Sequence, residues 1–142
     1  MDAVFEPVAL IKFYPGQNPD ILDFYFKKGF KGIVIEFAGI GQVANEGKNS
    51  WIPKLKELID KGMVICAAPQ TLYGRLDPYV YESARRILKT GVIYLEDMLP
   101  ETALVKLGWV LAKEKNKEKI RKLLLENVSG EFNDKLGREF LE

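Results

Sequence analysis

Three stretches of this 142-residue chain hold side chains that could do chemistry. In Thr71-Leu72-Tyr73-Gly74-Arg75, a hydroxyl, a phenol and a guanidinium surround a glycine just after an apolar run. Such a turn can present Tyr73 and Arg75 to a ligand or a partner, or be a solvated turn and nothing more. Leu95 to Ala103 gathers Glu96, Asp97 and Glu101. Paired carboxylates can do acid–base work or hold a hard cation, but acids in this position also cap helices and offset the positive helix N-terminus. The capping role has the stronger claim. Gly39-Ile40-Gly41-Gln42-Val43-Ala44 formally fits the G-x-G-x-x-A dinucleotide fingerprint. That fingerprint must open a helix directly, and Asn45 to Ser50 is turn-like instead. Gly39 and Gly41 therefore read as a tight turn after a strand, with Gln42 available for substrate contact.

Other reaction chemistries are poorly supplied. The chain has no histidine, the commonest general base and metal ligand. Its one cysteine, Cys66, lies inside an apolar run, where cysteine is usually a small buried hydrophobe. A cysteine nucleophile without a histidine is a poor prospect. No cofactor or metal is called for. The net charge of +1 gives no electrostatic footprint for nucleic acid, and direct nucleic-acid binding is not expected. The lysine-rich stretch from Lys113 to Lys122 is interleaved with glutamates and reads as a solvated face. No apolar run approaches the roughly 20 residues that span a membrane. Met1 to Val8 lacks the pattern of a signal peptide. A single cysteine fits a reducing, cytoplasmic compartment.

The elements that must position these stretches follow from the apolar pattern. Strands are expected at Val8 to Phe13, Gly32 to Phe37, Met63 to Ala68 and Val92 to Leu95. Their starts, Val8, Ile33, Met63 and Val92, lie 25, 30 and 29 residues apart, the length of a βα unit. Helical faces lie between them: Ile21, Leu22 and Tyr25, capped by Asn18 or Asp20 with Pro19 in the first turn; Trp51, Leu55, Leu58 and Ile59; then Val80, Ala84, Ile87 and Leu88 after an Asp77-Pro78 cap. A fourth helix carries Ala103, Leu104, Leu107, Val110 and Leu111, with Asp97 as its cap and Pro100 in its first turn. Lys113 to Lys119 reads as a charged connection to a last helix holding Ile120, Leu123 and Leu124. Asn127 to Glu142 reads as a loose tail.

Strands alternating with helices argue for one α/β domain over 1–142, with its core over about 7–132. The expected architecture is a three-layer α/β/α sandwich around a mainly four-stranded parallel sheet, Rossmann-like in plan. Ligands of such sheets bind at the C-terminal strand ends. There the Gln42 and Tyr73 loops should leave from the same edge.

The ordered segments VALIKFYPG, YFKKGFKGIVIE, GIGQV, WIPKLKELIDKGMVICAAPQTLYGRLDPYVY, LKTGVIYLEDMLPETALVKLGWVLA and NVSGEF resemble the C-terminal domain of asparaginase/glutaminase-type amidohydrolases. Within that family the likeness is to the archaeal subunits of tRNA-dependent amidotransferases, and type I L-asparaginases share the plan. It covers Pro7 to Phe132. The resemblance implies an enzyme that releases ammonia from glutamine or asparagine through a Thr-bound acyl intermediate. In the family the two threonines, the Asp and the Lys of the machinery lie in an N-terminal domain, in GGTI-like and GTDT-like motifs. Neither motif is in this sequence. The implied partners are a second copy, a catalytic N-terminal domain and a partner subunit that binds tRNA. The resemblance places Gln42 at a polar substrate-site position, often Asn in bacterial members and His in the amidotransferase group. Gly39, Gly41, Gln42, Tyr73 and Arg75 are the expected pocket or interface contacts, and no catalytic residue is expected. A binding or oligomerisation module without catalysis is the reading from a different class.

One consequence is open to direct test. The threonines are Thr71, Thr90 and Thr102. Amide hydrolysis needs an activated nucleophile with a base in reach. The purified chain should therefore release no ammonia from glutamine or asparagine. Turnover by the chain alone that Thr71→Ala abolishes would make Thr71 the nucleophile.

Overall fold

The computed structural model describes residues 5–14, 16–37, 51–69, 82–95 and 98–126. Four strands, β1 (Val8–Lys12), β2 (Gly32–Phe37), β3 (Val64–Pro69) and β4 (Ile93–Tyr94), form one parallel sheet in the order β1-β2-β3-β4. Between them lie α1 (Ile21–Lys27), α2 (Ile52–Asp60) and α3 (Glu82–Leu88). After β4 come α4 (Pro100–Lys113) and α5 (Lys117–Leu125).

Handedness explains the layers. Each β-α-β crossover is right-handed, and the strand order runs in one direction, so α1, α2 and α3 must all cover the same face. Leu22, Leu55, Leu58 and Ile87 indeed share a core with Ile11, Ile33, Ile35, Phe37, Ile65 and Ala67. The opposite face would be bare but for the two helices after β4. Val34, Cys66, Ala68, Ile93 and Leu95 pack there against Leu107, Val110, Leu111, Ile120 and Leu124. Strand β2 contributes to both cores and is buried on both sides, as its unbroken apolar run implies. The three-layer architecture is thus as the sequence implied. The second helical layer, however, comes wholly from the C-terminal helices.

Several boundaries differ from the sequence reading, each for a local reason. The α4 N-cap position is Leu99, in extended conformation (φ −63°, ψ 142°) and without a side-chain cap, and Asp97, the expected cap, lies outside the described residues. A residue before proline is pushed out of the helical region, so Pro100 itself sets the first turn. Asp20 precedes α1 in helical conformation and makes no side-chain cap, and Pro19 lies before the helix. The Asn18 side chain accepts from the Asp20 N–H at 2.9 Å instead. The charged connection shrinks to residues 114–116. Lys117 and Lys119 are helical because the Asn116 side chain accepts from the Lys119 N–H at 3.0 Å and starts α5 there. Glu114, whose carboxylate accepts from the N–H groups of Asn116 and Lys115, lies below its ordinary pKa for that reason. Asp77, Pro78, Val80, the side chain of Ala84 and the tail 127–142 lie outside the described residues.

At Gly32 the helix α4 lies close over the sheet. A Cβ there would sit 2.9 Å from both Leu107 Cδ2 and Leu111 Cδ1 and 3.1 Å from the Val64 carbonyl oxygen. The leucine side-chain ends can swing aside, but the carbonyl, held in the sheet, would have to give by a few tenths of an ångström. Gly32→Ala should therefore cost about 1–3 kcal/mol through overpacking, read as a lower urea midpoint at unchanged slope. An unchanged midpoint would show that α4 shifts freely over β2.

Candidate functional site

All four strands run the same way, so their C-terminal ends share one edge. Backbone register aligns Lys12 with Glu36, Glu36 with Ala68, Phe37 with Pro69 and Ala67 with Tyr94. The segments after β2 and β3 therefore leave from adjacent points on this edge. Those two lead to α2 and α3 on one face, whereas the chain after β4 returns as α4 on the other. Adjacent connections that diverge to opposite faces leave room for a ligand between them, as at the switch points of open α/β sheets.

Every sequence-predicted site residue, Gly39, Gly41, Gln42, Tyr73 and Arg75, lies outside the described residues, as do Thr71, Glu96 and Asp97. Their flanks lie within the described residues. Trp51, just before α2, is wholly buried and meets the Phe13 ring edge-to-face at 5.6 Å. Its indole N–H donates to the Gln17 carbonyl at 3.3 Å. The start of α2 is thereby pinned to the turn that follows β1. The α1–α2 pair is fixed close by: Lys54 Nζ lies 2.8 Å from Asp23 and 3.1 Å from Glu57. The hydrogen bond to Asp23, with that to Glu57, pushes the Lys54 pKa up to about 12.

Two polar groups at this edge escaped the sequence reading. Glu36 is half-buried near the end of β2, between Lys12 and Ala68 in register, with Glu101 of α4 close enough to be felt. Burial raises its pKa above 4.5; Lys12 opposes the shift and Glu101 adds to it. The sequence signal was a lone charge in an otherwise apolar strand. Gln17 is 5% exposed, and its Oε1 has no hydrogen-bond partner among the described residues. Nothing in the sequence marks it; its backbone carbonyl accepts from Trp51, 34 positions away.

The nucleophile inventory narrows further. Burial pushes the Cys66 thiol up to about 12, with nearby Arg121 opposing, which leaves negligible thiolate at neutral pH. The Thr90 hydroxyl is buried and donates to the Ile87 carbonyl at the end of α3. Thr102 lies within the first turn of α4. Among the described residues no cluster of His, Cys, Asp and Glu could hold a metal ion, and no helix is long and apolar enough to cross a membrane.

A four-stranded parallel sheet with helices on both faces defines the class: a three-layer α/β domain. The family is equally definite. Residues 7–124 match the model of the Glutaminase/Asparaginase C-terminal domain, and the chain belongs to that family. It is 47% identical over 131 residues to the D subunit of the Glutamyl-tRNA(Gln) amidotransferase of Pyrococcus abyssi, across 92% of this chain and 29% of that protein. Its counterpart from Pyrobaculum aerophilum is 50% identical over 113 residues, 80% of this chain and 26% of the relative. Among solved structures, the thermostable L-asparaginase from Thermococcus kodakarensis superposes with a TM-score of 0.83 at 32% identity, covering 91% of this chain and 39% of that one. The chain thus spans less than a third of the length of these amidotransferase relatives.

The raised Glu36 pKa has a stability consequence. A carboxyl whose folded pKa lies above its unfolded value favours the fold while protonated. That contribution is lost as pH rises from the ordinary value of 4.5 through the folded pKa. Glu36→Gln should therefore gain stability relative to the parent as pH rises from about 3.5 to about 7, measured as the difference in urea midpoints. A difference that is flat or falls with pH would mean that Lys12 outweighs burial.

Proposed function

We propose that this chain is the C-terminal part of an asparaginase-like D subunit of a Glu-tRNA(Gln) amidotransferase. The observation that carries this reading is the 47% identity across 92% of the chain to a protein of that name. The complete enzyme would release ammonia from glutamine or asparagine. A threonine oxygen attacks the amide carbon, the C–N bond breaks, and ammonia leaves with the transferred proton. Water then cleaves the acyl-threonine and regenerates the hydroxyl. Backbone donors hold the oxyanion. The ammonia passes to activated Glu-tRNA(Gln) on a partner subunit that binds the tRNA. This chain needs no cofactor for its share of that work and works in the cytoplasm.

In this reading the present chain, a single domain over 1–142, supplies contacts rather than the nucleophile. Gln42, Tyr73 and Arg75 line the substrate pocket or the contact between subunits, with Gly39 and Gly41 shaping the turn that carries Gln42. Support comes from the shared strand-end edge and from the divergent paths after β3 and β4. A free L-asparaginase is the second reading, favoured by the TM-score of 0.83 to an L-asparaginase.

The test is a full-length chimera in which this chain replaces the matching segment of the Pyrococcus abyssi relative. Ammonia release should depend on the relative's own catalytic part. Gln42→Ala, Tyr73→Ala and Arg75→Ala should each lower kcat/KM by about 10-fold or more, the scale of lost substrate positioning. Unaltered turnover in all three would remove these residues from the site. Release from asparagine, with no glutamine- and tRNA-dependent amidation, would favour the asparaginase reading.

A further inference from the structure

Of the seven large hydrophobic residues exposed among the described residues, five gather around one strand edge: Phe5, Tyr14, Ile21, Phe24 and Val105. Strand β1 ends the sheet, with no described strand on its outer side. The Phe13 N–H donates to the Glu36 carbonyl, and the Pro7 carbonyl accepts from Lys31. Odd-numbered residues therefore turn their backbone groups toward β2. Val8, Leu10 and Lys12 turn theirs outward.

Both helices flanking this edge overhang it with apolar side chains. On α1, Asp23 and Phe26 face α2, through Lys54 and through Lys61, whose Nζ sits 5.3 Å above the Phe26 ring. Ile21 and Phe24 lie on the opposite side of the helix, away from α2. Phe24 is 54% exposed and Tyr14, two residues beyond β1, 57%. On α4, Lys106 reaches toward α5, where its Nζ donates to the Glu126 carbonyl. The far side meets the residues leading into β1: Phe5 and Val8 lie over Gly108, and the Glu6 N–H donates to the Gly108 carbonyl at 3.0 Å. Val105, 58% exposed, stands one turn before Gly108 on that same side. Apolar groups on both faces thus frame a strand edge with outward backbone donors and acceptors, an arrangement that soluble proteins normally cover.

We propose that this β1 edge, with Ile21 and Phe24 above, Phe5 and Val105 below and Tyr14 just beyond the strand's end, is the docking surface for the polypeptide that precedes this domain in the longer relatives. The occupant follows from where the chain enters. Phe5 lies on α4 at this edge, so a longer protein must approach the domain from here. The relatives carry most of their length outside the matched segment, since it is 29% of the Pyrococcus abyssi protein. The proposal rests on the reading of this chain as the C-terminal part of such a protein.

Hydrogen exchange on the isolated chain and on the full-length chimera tests it. In the chimera the amides of Val8, Leu10 and Lys12 should exchange more slowly by about 10-fold or more, while those around Leu125, an exposed residue at the far end of α5, keep their rates. Phe24→Asp with Val105→Asp should return the edge to the rates of the isolated chain. The same pair should leave the urea midpoint of the isolated chain unchanged. Should the chimera fold poorly, the full-length Pyrococcus abyssi protein offers the same measurement on its matching segment. An edge as open in the long protein as in the short one overturns the proposal, while ammonia release by the chimera would still uphold the half-enzyme reading. A protected edge in a folded chimera that releases no ammonia would do the reverse. A dimer of the isolated chain that Phe24→Asp breaks would assign the face to a second copy and overturn the proposal.

Discussion

Burial of β2 on both faces is the constraint from which the rest of the structure follows. Ile33, Ile35 and Phe37 point to one core and Val34 to the other. A strand in this position must have helices above and below. Right-handed crossovers in a one-way strand order can cover only one of those faces. The long apolar helix α4 is therefore required for the sheet to be stable. It comes so near at Gly32 that even one added carbon would be crowded by Leu107 and Leu111.

The same constraint shapes the edge at the C-terminal ends of the strands. Because α4 must cross to the opposite face, the paths after β3 and β4 separate at the C-terminal ends of the strands. A domain whose helices all followed one face would have no such divergence. That divergence therefore follows from the need to bury Val34 and Cys66. Trp51 fixes the other margin of this edge: its ring packs on Phe13 and its N–H ties to the turn at Gln17. Glu36, half-buried between these margins, is a charge that the fold tolerates at the edge where function is expected.

The outer strand presents a contrasting situation. Strand β4 is also at the end of the sheet, yet Val92, Ile93, Tyr94 and Leu95 are all buried. At β1, Val8 and Leu10 are only partly covered, and aromatic rings stand exposed beside them. The two ends of one sheet thus differ in kind, and the exposed end is the one at which the chain enters.

The sequence by itself determined the element types and their order. Continuous β-branched runs such as Ile33 to Ile35, and apolar spacing such as Leu107, Val110 and Leu111, are local signals that short-range geometry makes legible. The spacing of strand starts was enough for a parallel α/β sheet, and the YGR and EDMLPETA segments were enough for the family. Boundaries such as Leu99 at the start of α4 were open to the same reading, since the preference of a pre-proline residue is local. Strand order, the assignment of each helix to a face, the burial of Gln17 and the shift of Glu36 were decided only in three dimensions. Each involves residues far apart in the chain, Trp51 with Gln17 or Glu36 with Glu101, and no local propensity records which distant groups will exclude water from one another.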